Sequence, residues 1–269
     1  MALQTRSREN GTGPVEVSAG AGLDSSAGKA LALLDAFRDG GAVVGVSDLA
    51  DRAGMAKSTA HRLLVVLIER GYVRRVNGKY ALSSWVFELG NQVPIARTNG
   101  LRDRAIPYMT ELFARTRTTV HLAVLRGTDI LYVDKLYGHD SVHAATTIGA
   151  RRPAHATGLG KAMLAFASNE DLHRNLSVRY RRFTAYTVAT PGNMAQILRR
   201  VREEGCATDH EESFLGISCL AAPILDPRTH HAVAALSLTA GTGTGNAALL
   251  RHKNLLLGTA QTLSAQLAG

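Results

Sequence analysis

VSDLADRAGMAKSTAHRLLVVLIERGYVRRVNGKYAL, Val46 to Leu82, runs through two helical periods, a glycine turn and a strand–turn–strand pattern without interruption. The first period predicts a short helix with Ser47 at its N-cap and Asp48 in the positive first turn. Leu49, Ala50 and Ala53 share one face of it. Gly54 follows where a tight turn between helices needs a residue without a Cβ. From Lys57 to Arg70, Ala60, Leu63, Leu64, Leu67 and Ile68 repeat at i, i+3, i+4, i+7 and i+8, the spacing of a helix packed on one side. Ser58 and Arg62 point away from that face, flanked by Thr59 and His61, with Lys57 opening the helix. Donors arranged in this way suit a recognition helix in the major groove.

Beyond Gly71, two β-prone runs, Tyr72 to Val76 and Lys79 to Leu82, flank Asn77-Gly78, the strongest short hairpin signal. The expectation is a winged helix-turn-helix that binds double-stranded DNA. Between Lys57 and Lys79 six basic residues face one acid, Glu69, giving a local charge of +5. Arg74, Arg75 and Lys79 carry that charge onto the wing, where it would hold phosphates or enter the minor groove.

The 269 residues suffice for two domains, and a net charge of +9 favours a polyanionic partner. Cys206 and Cys219 make no disulfide framework and fit a reducing cytosol. With no apolar run long enough to span a bilayer and no signal-peptide core, the expectation is a cytoplasmic protein with no membrane partner.

Residues 1–24 read as a disordered, Gly- and Ser-rich tail. Residues 25–83 form the DNA-binding domain, its first helix running from Ser25 to Arg38 with Ala30, Leu31, Leu34 and Phe37 on one side. Residues 84–100 read as a linker helix. Its Trp85 is either a packing residue or a dimer contact. Residues 101–269 form an effector-binding and oligomerisation domain. It opens with a helix from Leu101 to Arg115, then strands at Val120 to Leu125, Ile130 to Leu136 and Val142 to Ile148. Helices follow at Leu159 to Phe166, Asn169 to Leu176 and Gly192 to Glu204. Strands at Cys206 to Thr208, Ile217 to Leu225 and His231 to Thr239 precede one long helix, Ala247 to Leu267. Strand meander, helices and further strands predict an α+β domain built on an antiparallel sheet.

Thr157, Gly158, Leu159 and Gly160 sit at a predicted helix N-terminus, where backbone N–H groups can cradle a carboxylate. The glycines could equally serve close helix–sheet packing. Ser237 and Thr239, two apart on an apolar strand, project to the same face. Gly160-Lys161 is not a phosphate loop, because His155 replaces the earlier glycine and Ala162 the Ser/Thr. Lys161 reads instead as a solvated or salt-bridged helix residue. Asp209-His210-Glu211-Glu212 is the densest set of candidate ligands but lacks zinc spacing, so no metal or cofactor is expected. No G-x-S-x-G elbow is present. The rival readings are a small-acid hydrolase or metal-dependent enzyme with a DNA-binding-like accessory domain, and a purely architectural DNA binder.

Three stretches together resemble the IclR-type bacterial transcription regulators: GMAKSTAHRLL with its RGYV…GKYAL wing, RPAHATGLGKAMLAF (Arg152 to Phe166), and GCATDHEESFLGISCLAAPILD (Gly205 to Asp226). In the last, Gly205, Asp209, Glu212, Cys219, Leu220, Ala221, Ile224 and Asp226 fall in the family's register, and Leu225 departs from its usual aromatic or His. The resemblance spans residues 25–267. It implies a homodimer or dimer of dimers on operator DNA, with a C-terminal GAF-like effector domain. It also implies that Gly158, Leu159 and Gly160 face Asp209, Cys219, Ser237 and Thr239 around a small organic acid, aliphatic or aromatic.

Overall fold

The computed structural model describes residues 24–38, 41–138, 146–244 and 246–267. The chain divides into two units, residues 1–89 and 90–269.

In the first unit α1 (Ser26–Asp35), α2 (Val46–Arg52) and α3 (Lys57–Glu69) precede a hairpin of β1 (Val73–Val76) and β2 (Lys79–Leu82). Their core is Leu33, Phe37, Leu49, Ala60, Leu64, Leu67, Val73 and Tyr80. Ser25 caps α1 by accepting the Gly28 N–H at 2.9 Å. Asn77 and Gly78 both adopt positive φ, 49° and 76°, as a two-residue turn joining right-twisted strands requires.

Two local expectations are corrected. Gly45, not Ser47, is the N-cap of α2. Val44 exchanges both backbone hydrogen bonds with Tyr80, at 2.8 and 2.9 Å, which holds it extended and starts the helix two residues early. In α1 the inward leucine is Leu33, since Ala30, Leu33, Leu34 and Phe37 share a face and Leu31 is 63% exposed.

Of the expected linker helix over residues 84–100, only α4 (Ser84–Gly90) is helical, residues 91–100 being turns and bends, and α4 has no buried residue. Trp85 on this helix is 44% exposed.

The second unit opens with α5 (Leu101–Thr116) and builds one antiparallel sheet. Its strands are β3 (Thr119–Arg126), β4 (Asp129–Leu136), β5 (Arg151–Pro153), β6 (Ala207–His210), β7 (Ile217–Leu225) and β8 (Ala232–Gly241), in the order β5-β4-β3-β8-β7-β6. Between β5 and β6 lie α6 (Gly158–Ala165), α7 (Asn169–Leu176) and α8 (Pro191–Glu204). The chain closes with α9 (Asn246–Leu250) and α10 (Lys253–Gln266).

Strand alternation sends Val120, Leu122, Val124, Leu220, Leu236 and Leu238 to one face, against Met109 and Leu112 of α5 and Leu256 and Leu263 of α10. Ala123, Tyr132, Ala207, Ala221 and Ala235 go to the other, under Leu159 and Met163 of α6 and Met194 and Leu198 of α8. Alanines dominate this second face, so α6 lies close on the sheet and every one of its residues is buried.

Three boundaries differ from expectation. The terminal helix is broken at Arg251-His252, where the His252 N–H closes a tight turn on the Leu249 carbonyl at 3.0 Å. Of the expected strand at Val142 to Ile148, residues 142–145 lie outside the described residues and 146–148 are not in a strand; β5 takes its place at the sheet edge. β6 begins at Ala207 because Gly205 ends α8 in the left-handed region, with φ 72°. None of the described helices is long and apolar enough to cross a membrane.

Candidate functional site

The first unit presents α3 and the hairpin. Lys57, Ser58, His61 and Arg62 are exposed on α3, with Thr59 half-buried, while Ala60, Leu63, Leu64 and Leu67 face the core. No side chain caps the α3 N-terminus, so its first-turn amides are open to a phosphate. Arg74, Arg75 and Lys79 are exposed on the wing. Arg75 lies opposite Tyr80 in the ladder, its guanidinium 5.7 Å from the ring centroid. Among the described residues, none of these five Lys and Arg side chains forms an ion pair.

The second unit holds an interior cavity, and sheet register builds it. Asp209 pairs with Cys219, and Cys219 with Thr239. In the next row Ala221 pairs with Ser237, and Ser237 with His121. These side chains lie on the α6 face, where α6 begins over them at Gly158 and Leu159. Gly158, Leu159, Asp209, Cys219, Ser237 and Thr239 all line the cavity. Gly160 does not. A Cβ there would stand 2.1 Å from the Ala154 carbonyl oxygen, and its N–H is bound by the Thr157 Oγ1 cap at 2.9 Å. Its role is close packing, so its expected place in the cradle is corrected. Gly158 and Leu159 supply the first-turn amides that a helix leaves without partners.

The wall is a hydrogen-bonded chain. Thr239 Oγ1 lies 3.2 Å from Cys219 Sγ and 3.3 Å from His121 Nδ1, and His121 Nε2 lies 2.8 Å from Thr146 Oγ1. Burial, helped by Lys135, pushes the His121 pKa down to about 3, so the ring is neutral. Burial pushes the Cys219 thiol well up, which makes it an unreactive wall. The Ser237 hydroxyl, fully buried, is one of three buried polar atoms without a partner among the described residues. Asp209 Oδ1 accepts the Glu212 N–H at 2.8 Å. Burial, reinforced by Glu212 and opposed by Lys161, raises the Asp209 carboxyl to about 6. Lys161 is not solvated: 1% exposed, it donates to Glu212 Oε1 at 2.5 Å. The cavity itself is about 20 Å³, room for a single water.

Thr157 also lines the cavity, and sequence reasoning missed His121, Tyr132, Thr146, Ser213, Phe214 and Ile217, which complete the lining. A lone His between Val120 and Leu122 on an apolar strand was the one available signal. Ser213 and Phe214 come from a loop without periodicity.

The family model for the bacterial transcriptional regulator IclR C-terminal domain matches residues 72–265, and that for the IclR helix-turn-helix domain residues 26–77. The chain belongs to the IclR family. Among IclR-family relatives, the HTH-type transcriptional regulator XynR of Escherichia coli is 35% identical over 214 residues, 78% of this chain and 84% of XynR. The transcriptional repressor IclR of the same organism is 31% identical over 203 residues, 74% and 73% of the two chains. The crystal structure of Thermotoga maritima IclR superimposes with a TM-score of 0.73 at 30% identity, covering 90% of this chain and 98% of the other. An IclR homolog of Microbacterium hydrocarbonoxydans, complexed with 4-hydroxybenzoate, has a TM-score of 0.79 at 24% identity over 90% and 100% of the chains, a likeness of fold.

As an IclR-family member the protein is a transcriptional regulator with a helix-turn-helix domain and a C-terminal effector domain, and not an enzyme. The hydrolase reading is thereby set aside.

Proposed function

We propose that the protein reads a palindromic operator as a cytoplasmic homodimer or dimer of dimers, and that its C-terminal domain senses a small organic acid. Residues 25–83 would dock on DNA, 84–100 link, and 101–269 bind effector and self-associate. One observation carries the effector reading: the α6 N-terminus and the unpartnered Ser237 hydroxyl converge on one interior cavity. The acid's carboxylate takes the Gly158 and Leu159 amides. Ser237 satisfies its hydroxyl on the ligand's other polar atom, and Asp209, Cys219 and Thr239 form the wall. That the homolog from Microbacterium was complexed with 4-hydroxybenzoate supports an organic acid as the class.

A cavity of about 20 Å³ cannot hold such a ligand unless its walls part. Binding must therefore select an expanded arrangement. A difference in operator affinity between the two arrangements is what makes the site regulatory.

On the DNA side, Lys57, Ser58, Thr59, His61 and Arg62 are the candidates for base contact, and Arg74, Arg75 and Lys79 for phosphate or minor groove. Arg62→Ala is expected to weaken operator binding by about 1–3 kcal/mol and relax preference at one base pair. Arg75→Ala should weaken operator and scrambled DNA alike, lowering the salt slope by about one. Mobility-shift titrations on both DNAs separate the two. An equal loss on both by Arg62→Ala removes it from base readout.

Asp209 gives the acid reading a pH signature. An anion bound beside it favours the protonated carboxyl, so acid binding takes up a proton wherever free Asp209 is ionised. Affinity for a carboxylate should rise as pH falls from 8 through about 6. Asp209→Asn should flatten the dependence. Calorimetric titration with 4-hydroxybenzoate and aliphatic acids at pH 5.5, 6.5 and 8 would reveal it; a pH-independent affinity in the wild type would place the bound carboxylate away from Asp209.

A further inference from the structure

The cavity has a cation at one of its walls. Phe214 forms part of its wall, and the Arg152 guanidinium lies over that ring, 4.2 Å from its centroid. Arg152 also faces Phe183 at 6.0 Å, and Arg181 covers Phe183 at 5.3 Å. Rings and cations from three separate segments thus form one stack at the cavity. β5 supplies Arg152, and pairing with Ile130 turns it to the sheet face that carries α6. Its charge also reaches Tyr132 on the adjacent strand β4, where it works against the burial that raises that phenol.

Among the described residues the Arg152 side chain has no ion-pair or hydrogen-bond partner; it stands against the two rings. A half-buried guanidinium with five donors and none engaged is ready to receive an anion. Asp209 is the carboxyl in the cavity lining, and the cation beside Phe214 offsets its repulsion of an incoming organic anion.

We infer that Arg152 is an anion-selecting residue of the effector site, leaving the Phe214 ring to receive the carboxylate of an incoming acid. The inference rests on the reading that the cavity takes a small acid. In the closed arrangement the cation–π stack holds Phe214 over the cavity. A carboxylate offers Arg152 a stronger, charge-assisted partner, which frees the ring to move and the cavity to widen. The ligand class is accordingly an acid and not its neutral amide or ester, with the charge tested at the mouth before the interior is reached.

The test uses the full-length protein with 4-hydroxybenzoate, benzoate, glycolate and acetate, each against its primary amide, read by thermal shift and calorimetry. Arg152→Gln keeps a planar group on Phe214 without charge, and Arg152→Lys keeps the charge. For an acid that binds the wild type, Arg152→Gln should slow association about tenfold or more, read by stopped-flow fluorescence, with Arg152→Lys slowed less. Any amide binding should be unchanged, and the salt dependence of acid binding should diminish in Arg152→Gln. Matching apo melting temperatures would show that both variants fold. Equal association rates in wild type and Arg152→Gln overturn the role of Arg152 and leave the acid reading standing. No binding of any acid to the wild type overturns the acid reading and this inference with it.

Discussion

Gly160→Ala is expected to destabilise the effector domain by about 3 kcal/mol or more, whereas Gly158→Ala, two residues earlier, should leave it folded. The methyl group at 160 would stand 2.1 Å from the Ala154 oxygen, 2.4 Å from its Cα and 2.6 Å from its carbonyl carbon. All three are backbone atoms, in a turn held by the Ala154 N–H on the Thr128 carbonyl at 2.9 Å. Overpacking against atoms that cannot rotate away lies at the upper end of the usual 1–3 kcal/mol, and above it. At 158 the added methyl meets Ala221 and Asp209 at ordinary contact distances of 3.5 and 3.6 Å. Thermal unfolding reads the difference. A loss of 3 kcal/mol lowers the melting temperature of a unit this size by roughly 6–12 °C. A Gly160→Ala protein melting with the wild type would mean that Ala154 yields and the packing role is wrong. Gly158→Ala should blunt the effector response, since its methyl enters the cavity wall.

Lys161→Met should be about as damaging, for an electrostatic reason. The ammonium is the partner of Glu212, whose other oxygen, Oε2, is buried with no partner among the described residues. Removing the cation leaves a carboxylate stranded beside Asp209, and breaking a buried pair from one side costs about 3–5 kcal/mol. Glu212→Leu alone strands the ammonium and should cost a similar amount. The double variant Lys161→Met/Glu212→Leu should recover most of the loss, because the desolvation penalties of both charges vanish with the pair. Unfolding free energies for all four proteins complete the cycle. Additive losses in the double variant would mean that the pair contributes through shape alone.

Both variants also separate fold from regulation. The Lys161–Glu212 pair joins α6 to the loop that carries Phe214, so a repaired double variant with normal stability can still respond abnormally to acid. Operator release measured against acid concentration would expose that, independently of the melting temperature.

The winged helix-turn-helix was legible because its determinants are local. The glycine at 54, the apolar repeat from Ala60 to Leu67 and Asn77-Gly78 act through backbone geometry and helical period, which neighbours in sequence set. What lay beyond local spacing there was small: Val44 reaches across to Tyr80 and so moves the start of α2. The exposed face of α3 followed from its buried face.

In the effector domain, sequence by itself determined that Ser237 and Thr239 share a face, that α6 begins near Gly158, and, through resemblance, that Asp209 and Cys219 belong with them. Only tertiary structure decided which glycine packs and which lines the cavity, because that turns on the distance from Ala154 to the α6 backbone. Only tertiary structure buried Lys161 and left the Ser237 hydroxyl without a partner among the described residues. His121, Tyr132 and Phe214 entered the site through pairing and loop closure between segments far apart in the chain. A strand's own alternation says which residues point together; the strand order β4-β3-β8-β7-β6 says which of them meet, and the cavity exists only where they meet.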